Sequence, residues 1–143
     1  MTANRTPLRF FVNPSGIAVF GASSQPGTLG FGVAHNLLDG KFSNRVHLIN
    51  PRHMQIGEHS CLASLDQVQG AVSLALIATP MATVPAIIEA CGRRGITSAI
   101  VYSADQGDNT LQDTESLRLV QAAAVRAKVR LIGPRAMGFV LPH

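Results

Sequence analysis

Five short runs of apolar residues, rich in β-branched side chains, recur along the chain with room for a helix between most of them. Each run is long enough for one β-strand and too short to span a membrane. The runs lie at residues 17–20, 46–50, 72–78, 98–102 and 129–132. Strands that are apolar at nearly every position are typical of a parallel sheet covered on both faces, so we predict such a sheet.

Segments with the apolar spacing of helices separate these strands. They lie at residues 30–38, 84–94 and 110–128, with a shorter one at 64–68. This β-α-β order predicts an α/β fold, a Rossmann-like doubly wound parallel sheet in a single domain. We expect the first strand at its centre, the second on one side, and the remaining three on the other. A ligand would then bind at the carboxyl ends of the strands.

The composition is that of a globular domain, and its modest positive charge suits solubility as well as an anionic ligand. Apolar residues make up 46% of the 143 positions and charged residues only 14%, which argues against disorder. The net charge is +4, but the basic residues are scattered along the chain and form no stripe. We therefore expect neither nucleic-acid nor membrane binding, whereas an anionic small molecule suits this charge.

The cysteine pattern and the two ends of the chain bear on location and domain organisation. Cys61 and Cys91 form no CxxC pair, and no apolar signal segment precedes the domain, so we expect reduced thiols and a cytoplasmic protein. Residues 1–12 are expected to form an N-terminal arm, and residues 13–143 the domain itself. Because residues 138–143 are apolar without a polar tail, we expect the chain to be part of a larger protein.

A glycine-rich loop joins the first strand to the first long helix. It reads Gly21-Ala22-Ser23-Ser24-Gln25-Pro26-Gly27-Thr28-Leu29-Gly30. Such a loop lets backbone N–H groups and the positive end of the helix dipole face a phosphate. Its spacing is neither GxGxxG nor that of a P-loop, so we predict a longer phosphate-binding loop. The alternative is an ordinary strand-to-helix turn rich in Gly, Ser and Pro.

The end of the second strand bears on which nucleotide binds. An NAD-binding domain usually has Asp or Glu there, whereas this chain has Asn50, Pro51 and Arg52. Arginine suits a phosphate on the ribose, because its planar fork of donors matches phosphate oxygens. NADP and coenzyme A both carry such a phosphate. The alternative for Arg52 is a solvated surface side chain.

Four motifs in order carry a family resemblance. They are Gly-Ala-Ser-x-x-Pro-Gly-x-x-Gly from Gly21, Asn-Pro-Arg from Asn50, Ala-Thr-Pro from Ala78 with Val84-Pro85, and Gly-Pro-x-x-x-Gly from Gly133. Together they resemble the CoA-binding domain of NDP-forming acyl-CoA synthetases, the group that includes the succinyl-CoA synthetase α subunit and ADP-forming acetyl-CoA synthetases. The resemblance covers about residues 11–141.

The resemblance implies a site for the ADP part of coenzyme A at the strand ends. The pyrophosphate would lie near Ser23, Ser24 and Gly27, with Asn50, Pro51 and Arg52 beside the adenosine. Thr79 and Pro80 would form the far wall, and Ser103 and Ala104 would lie toward the pantetheine. The full set of implied cofactor-binding residues is Gly21, Ala22, Ser23, Ser24, Gly27, Thr28, Gly30, Asn50, Pro51, Arg52, Ala78, Thr79, Pro80, Ser103 and Ala104.

Two motifs depart from the family pattern. The last motif reads Gly133-Pro134-Arg135 followed by Ala136-Met137, where the family usually has Gly-Pro-Asn followed by Cys. The fourth strand leads into Ser103-Ala104-Asp105, where the family has Ser-Ala-Gly or Thr-Glu-Gly. These changes bear on acyl specificity and catalytic competence. The opposite charges of Asp105 and Arg135 would also allow the two side chains to pair.

No catalytic or metal-binding residue is predicted in this chain. The family passes a phosphoryl group through a histidine of a second domain, and none of the five histidines here, at positions 35, 47, 53, 59 and 143, has the matching context. Cys61 and Cys91 lack the paired ligands of a zinc site. We therefore expect a chain that binds coenzyme A or acyl-CoA without turnover, with missing synthetase domains or a partner subunit supplying catalysis.

For the larger protein, the resemblance implies the conversion of acyl-CoA, phosphate and NDP to the acid, CoA and NTP.

Two other functions stay open at this point. One is a regulatory CoA-binding module of a protein lysine acetyltransferase, or a stand-alone binder. The other is a fragment of an NADP-binding oxidoreductase, against which the loop spacing argues. The sequence identifies neither the acyl group nor the partner nucleotide, ADP or GDP.

Overall fold

Seven strands form one sheet with the first strand at its centre. The computed structural model describes residues 8–40, 45–104 and 110–137. The strands are β1 (Ile17–Phe20), β2 (Val46–Ile49), β3 (Gln55–Ile56), β4 (His59–Leu62), β5 (Leu74–Ile77), β6 (Ser98–Val101) and β7 (Arg130–Ile132). Their order is β3-β4-β2-β1-β5-β6-β7, and all neighbours are parallel except β3 and β4, which pair antiparallel.

Helices connect most of these strands. They are α1 (Arg9–Val12), α2 (Leu29–Leu38), α3 (Val84–Arg93) and α4 (Thr110–Ala127), with short 3-10 helices at Leu65–Gln67 and Met81–Thr83. Thr28 begins α2, because its hydroxyl accepts a hydrogen bond from the Phe31 N–H at 3.2 Å and so caps an otherwise unpaired donor. A proline in the first turn suits the start of α3, where the missing N–H costs nothing.

The predicted fold class is confirmed, and so is the predicted position of the first strand between the second and the other three. β1, β2, β5, β6 and β7 are the five predicted strands, although the third is shorter than the predicted 72–78. The hairpin of β3 and β4 was not predicted, because its strands are short and only Ile56 among their residues is buried. The helix expected at 64–68 was wrong in kind: only a three-residue 3-10 helix forms there.

Two apolar layers cover the two faces of the sheet. Alternate residues of β1 point to opposite faces: Ala18 and Phe20 pack under α3 and α4, and Ile17 and Val19 lie on the face covered by α2. Within the predicted N-terminal arm, residues 8–12 are described, and Phe11 of α1 is buried in the second layer. The sheet is thus covered on both sides, as its apolar strands predicted.

One crossover differs from the others. The connections β1 to β2, β5 to β6 and β6 to β7 contain α2, α3 and α4, respectively. The connection from β2 to β5 instead runs through the β3–β4 hairpin and the 3-10 helix Leu65–Gln67. This short segment leaves part of the sheet uncovered beside α3, and an open cleft results.

Candidate functional site

A cleft of about 910 Å³ opens at the carboxyl ends of β1, β2 and β5. One wall is α3, and the opposite wall is the end of β2 together with residues 63–66. The side chains of Phe20 and Ile49 lie between them. The predicted site residues that line it are Gly21, Asn50, Pro51, Arg52, Ala78, Thr79 and Pro80. The ends of three strands, distant in sequence, therefore meet at one cavity of the size that small ligands occupy.

The loop between β1 and α2 continues from Gly21 at the edge of this cleft. It contains six further predicted cofactor-binding residues, none of which lines the cleft: Ala22, Ser23, Ser24, Gly27, Thr28 and Gly30. Gly21 has φ +80°, a conformation that favours glycine. A Cβ on Gly30 would lie 1.9 Å from the carbonyl oxygen of Gly21. These two glycines therefore let the first turn of α2 pack directly on the end of β1.

Backbone donors of this loop remain available to a ligand. Among the described residues, the N–H groups of Ser24, Gly27, Leu29 and Gly30 have no hydrogen-bond acceptor. The Ser23 hydroxyl accepts from the Gln25 N–H at 3.0 Å, which shapes the turn before the helix. Unpaired N–H groups at the start of a ten-residue helix suit an anion such as a phosphate.

Asn50 connects the two loops. Its side-chain nitrogen donates to the Ala22 carbonyl at 2.8 Å, and its side-chain oxygen accepts from the Arg52 N–H at 2.9 Å. Its backbone N–H donates to Leu62 at 2.9 Å. The amide group is therefore engaged within the protein, and it fixes the turn that carries Arg52 against the phosphate-binding loop.

The end of β5 leads into α3 through a small hydroxyl network. The Thr83 hydroxyl lies 2.8 Å from both the Thr79 hydroxyl and the Pro80 carbonyl oxygen. These contacts hold the turn at which Thr79 and Pro80 line the cleft. The predicted far wall is thus an ordered turn followed directly by the α3 wall.

Sequence reasoning missed two arginines of the cleft, Arg93 and Arg94, at the end of α3. Together with Arg52 they face one carboxylate among the lining residues, that of Asp66, so positive charge is in excess. The helical spacing of Thr83, Ile87, Ala90 and Arg94 places them on one face, and this periodicity could have revealed the residues. A helix was expected at residues 64–68, and it would have covered that face. Only a 3-10 helix forms there, so the face lines the cleft.

Ser103 and Ala104 do not line the large cleft. Ser103 is buried, and its hydroxyl donates to the Ile77 carbonyl at 3.4 Å. Ala104 lines a separate cavity of about 240 Å³ with Asp113 and Arg135. Arg135 pairs with Asp113 there, at 3.0 Å between Nη2 and Oδ2. The partner suggested for Arg135 from the sequence, Asp105, lies outside the described residues.

The histidines in the described part of the chain line neither cavity. His35 pairs with Asp39 at 3.2 Å on the surface, and burial, reinforced by the charge of Arg94, lowers the pKa of His47. His143 lies outside the described residues. Among those that are described, no group of three or more His, Cys, Asp or Glu could hold a metal ion. No helix in residues 8–40, 45–104 or 110–137 is long and apolar enough to cross a membrane.

Cys91 on α3 belongs to the core, and its chemistry gives a test of the packing. Its side chain is fully buried, and burial raises the pKa of the thiol to about 12. We expect iodoacetamide at about pH 8 to alkylate the half-buried Cys61 and to spare Cys91 until denaturant is added. Peptide mass mapping would measure this. Alkylation of Cys91 in the native protein, as fast as that of Cys61, would contradict the packing of α3.

The raised pKa of the Cys91 thiol also predicts how stability depends on pH. The unfolded Cys91 thiol ionises near its ordinary pKa of 9.0, whereas the folded thiol does not ionise until about 12. The folded state then binds the extra proton, so the contribution of this thiol to stability is lost as pH rises through that interval.

Comparison with known proteins is consistent with this geometry. Residues 15–142 match the family described as CoA binding domain. The chain is 30% identical over 136 residues to an ADP-forming acetate–CoA ligase of Methanocaldococcus jannaschii, covering 95% of this chain and 19% of that protein. It is 29% identical over 136 residues to the α subunit of an ADP-forming acetate–CoA ligase II of Pyrococcus furiosus, covering 95% of this chain and 30% of that subunit.

A solved structure shows the same fold. The dinucleotide forming acetyl-coenzyme A synthetase 1 of Ca. Korarchaeum cryptofilum, in complex with phosphate and ADP, superimposes with a TM-score of 0.81 at 30% identity, covering 92% of this chain and 28% of that one. The chain therefore spans less than a third of the length of each of these relatives. It belongs to the CoA-binding domain family, and its relatives include ADP-forming acetyl-CoA synthetases.

Proposed function

We propose that this chain binds coenzyme A or acyl-CoA through the ADP moiety, as the CoA-binding domain of an NDP-forming acyl-CoA synthetase. One observation carries the proposal: the start of the glycine loop at Gly21, the Asn50-Pro51-Arg52 turn and the Ala78-Thr79-Pro80 turn line one cleft with an excess of positive charge. Membership of the family supports the choice of ligand.

Each part of the ligand has a matching group of residues. The pyrophosphate lies at the unpaired N–H groups of Ser24, Gly27 and the first turn of α2, where no charged side chain is needed. The adenosine enters the large cleft between the turn at Pro51 and the α3 wall. Ala104 lies beside the smaller cavity, toward which the pantetheine extends.

Arg52 gives the site its preference for a ligand with a ribose phosphate. Its backbone is fixed by Asn50, while its exposed guanidinium has no partner among the described residues. A free, always charged fork of donors at a strand end suits a dianionic phosphate. It does not suit the ribose hydroxyls of NAD, which a carboxylate would bind.

Catalysis belongs to parts of the parent protein beyond these 143 residues. Among the described residues, no histidine or cysteine lines the cleft. The remaining synthetase domains or a partner subunit would supply the phosphoryl transfer, so that acyl-CoA, phosphate and NDP give the acid, CoA and NTP. The purified chain itself should bind CoA and show no ligase turnover.

Calorimetric titration with CoA, dephospho-CoA, acetyl-CoA, NADPH and NADH tests this function. We expect CoA to bind more tightly than dephospho-CoA. Arg52→Ala should weaken CoA binding by about tenfold, the loss of one charge-assisted hydrogen bond, and leave dephospho-CoA binding nearly unchanged. Arg118→Ala is the control, because Arg118 lies on α4, is paired with Glu115, and does not line the cleft.

Other results would redirect the function. Preference for NADPH would identify an oxidoreductase fragment, since NADPH also carries a ribose phosphate. Absence of binding by every ligand would contradict the proposal for the isolated chain. Equal affinity for CoA and dephospho-CoA would leave CoA binding in place and remove the role of Arg52.

A further inference from the structure

The arginines of the described residues divide into those with a partner and those without. Most have one: the Phe10 ring for Arg9, the carbonyl oxygens of Pro14 and Val68 for Arg45 and Arg94, and carboxylates for Arg118, Arg126 and Arg135. Among the described residues, the side chains of Arg52, Arg93 and Arg130 have none. Two of these three, Arg52 and Arg93, line the same cleft.

These two arginines belong to different walls. Arg52 follows β2, and Arg93 lies on the last turn of α3, on the other side of the cleft. The neighbouring Arg94 has a partner within the protein, because its guanidinium donates a hydrogen bond to the Val68 carbonyl oxygen. This bond connects the end of α3 to the segment after β4. Within the described part of the chain, Arg93 is therefore an unpaired cation of the α3 wall, and Arg52 is one of the β2 wall.

Unpaired guanidiniums that share a cleft repel each other. Asp66 is the carboxylate among the lining residues, and it forms no ion pair with either arginine. A bound dianion would neutralise both charges at once, and two forked donors would satisfy its oxygens. The ribose phosphate of CoA is such a dianion, whereas the pyrophosphate has its own donors at the start of α2.

We propose that Arg93 and Arg52 together bind the ribose phosphate of CoA, one from each wall of the cleft. This proposal rests on the proposed function and adds a residue that the glycine loop and strand-end motifs do not contain. It makes the end of α3 part of the binding site, and it makes recognition of the phosphate depend on the distance between two walls that belong to different crossovers.

The experiment is calorimetric titration of Arg93→Ala, Arg52→Ala and the double variant with CoA and with dephospho-CoA. Arg93→Ala should weaken CoA binding by about tenfold and leave dephospho-CoA binding unchanged. Because both arginines hold one phosphate, the double variant should lose less than the product of the two single losses. Arg93→Lys keeps the charge but not the fork, so its affinity should lie between those of the wild type and Arg93→Ala.

Arg130→Ala is the matched control, since Arg130 also lacks a partner among the described residues but lies on β7 away from the cleft. Equal losses for CoA and dephospho-CoA in Arg93→Ala would place Arg93 against another part of the ligand and overturn the proposal. So would unchanged CoA binding by Arg93→Ala. If the wild type binds no CoA, the proposed function itself fails. If the wild type and Arg93→Ala bind CoA with the same affinity, only the role of Arg93 fails.

Discussion

Gly30→Ala is expected to destabilise the domain by about 3 kcal/mol or more, the upper range for overpacking a rigid site. The added Cβ would lie 1.9 Å from the Gly21 carbonyl oxygen and 3.4 Å from the Ser23 nitrogen. These neighbours are backbone atoms, so no side chain can rotate away, and α2 would have to move off the end of β1. Urea denaturation of the two proteins measures the loss.

Gly32→Ala is the control for this substitution in the same helix. Gly32 lies two positions further along α2, and a Cβ there would meet nothing within 4 Å. Alanine has the better helix propensity, so Gly32→Ala should stabilise the domain by about 0.5–1 kcal/mol. A Gly30→Ala variant as stable as the wild type would mean that α2 does not pack on Gly21 as described.

Substitutions of two neighbouring isoleucines of α3, Ile87 and Ile88, should affect stability and ligand binding to different extents. Ile88 is fully buried between the sheet and the helices, and Ile88→Ala removes several methylene-sized groups from a closed core. We expect it to lower the free energy of unfolding by about 3–4 kcal/mol. CoA affinity measured under native conditions should change little, because Ile88 does not line the cleft.

Ile87→Ala should give the opposite pattern. Ile87 is half-buried and lines the cleft, so its loss costs the core less, about 1 kcal/mol, but removes apolar surface facing the proposed adenosine. Its CoA affinity should fall several-fold. Urea denaturation and calorimetric titration of both variants measure the two effects. Loss of affinity in Ile88→Ala without loss in Ile87→Ala would contradict the assignment of the α3 wall.

The sheet was predictable because a strand buried on both faces appears in the sequence as a continuous run of apolar residues. β1 and β5 are apolar and buried at every position. The β3–β4 hairpin was not predicted because its strands are short and only partly buried, and they therefore show no apolar run. Its pairing depends on backbone hydrogen bonds to β2, which the side chains do not reveal.

The candidate site was predictable as a position and less so as a set of contacts. The strand-end motifs at Asn50 and Ala78 meet as expected, since parallel strands end at one edge. Asn50 was assigned to the adenosine, but its amide group holds Ala22 and the Arg52 turn. Gly30 was assigned to the phosphate, and its lack of a side chain is also needed for packing on Gly21. Such double roles follow from tertiary contacts that no local pattern contains.

The cleft is assembled from segments that span residues 20–94, so it exists only when most of the sheet is intact. A molecule that fills it therefore binds the folded chain and not the unfolded one. At a free concentration one hundred times its dissociation constant, such a molecule adds about 2.7 kcal/mol to the free energy of unfolding. Resistance to proteolysis should therefore rise with the concentration of such a molecule.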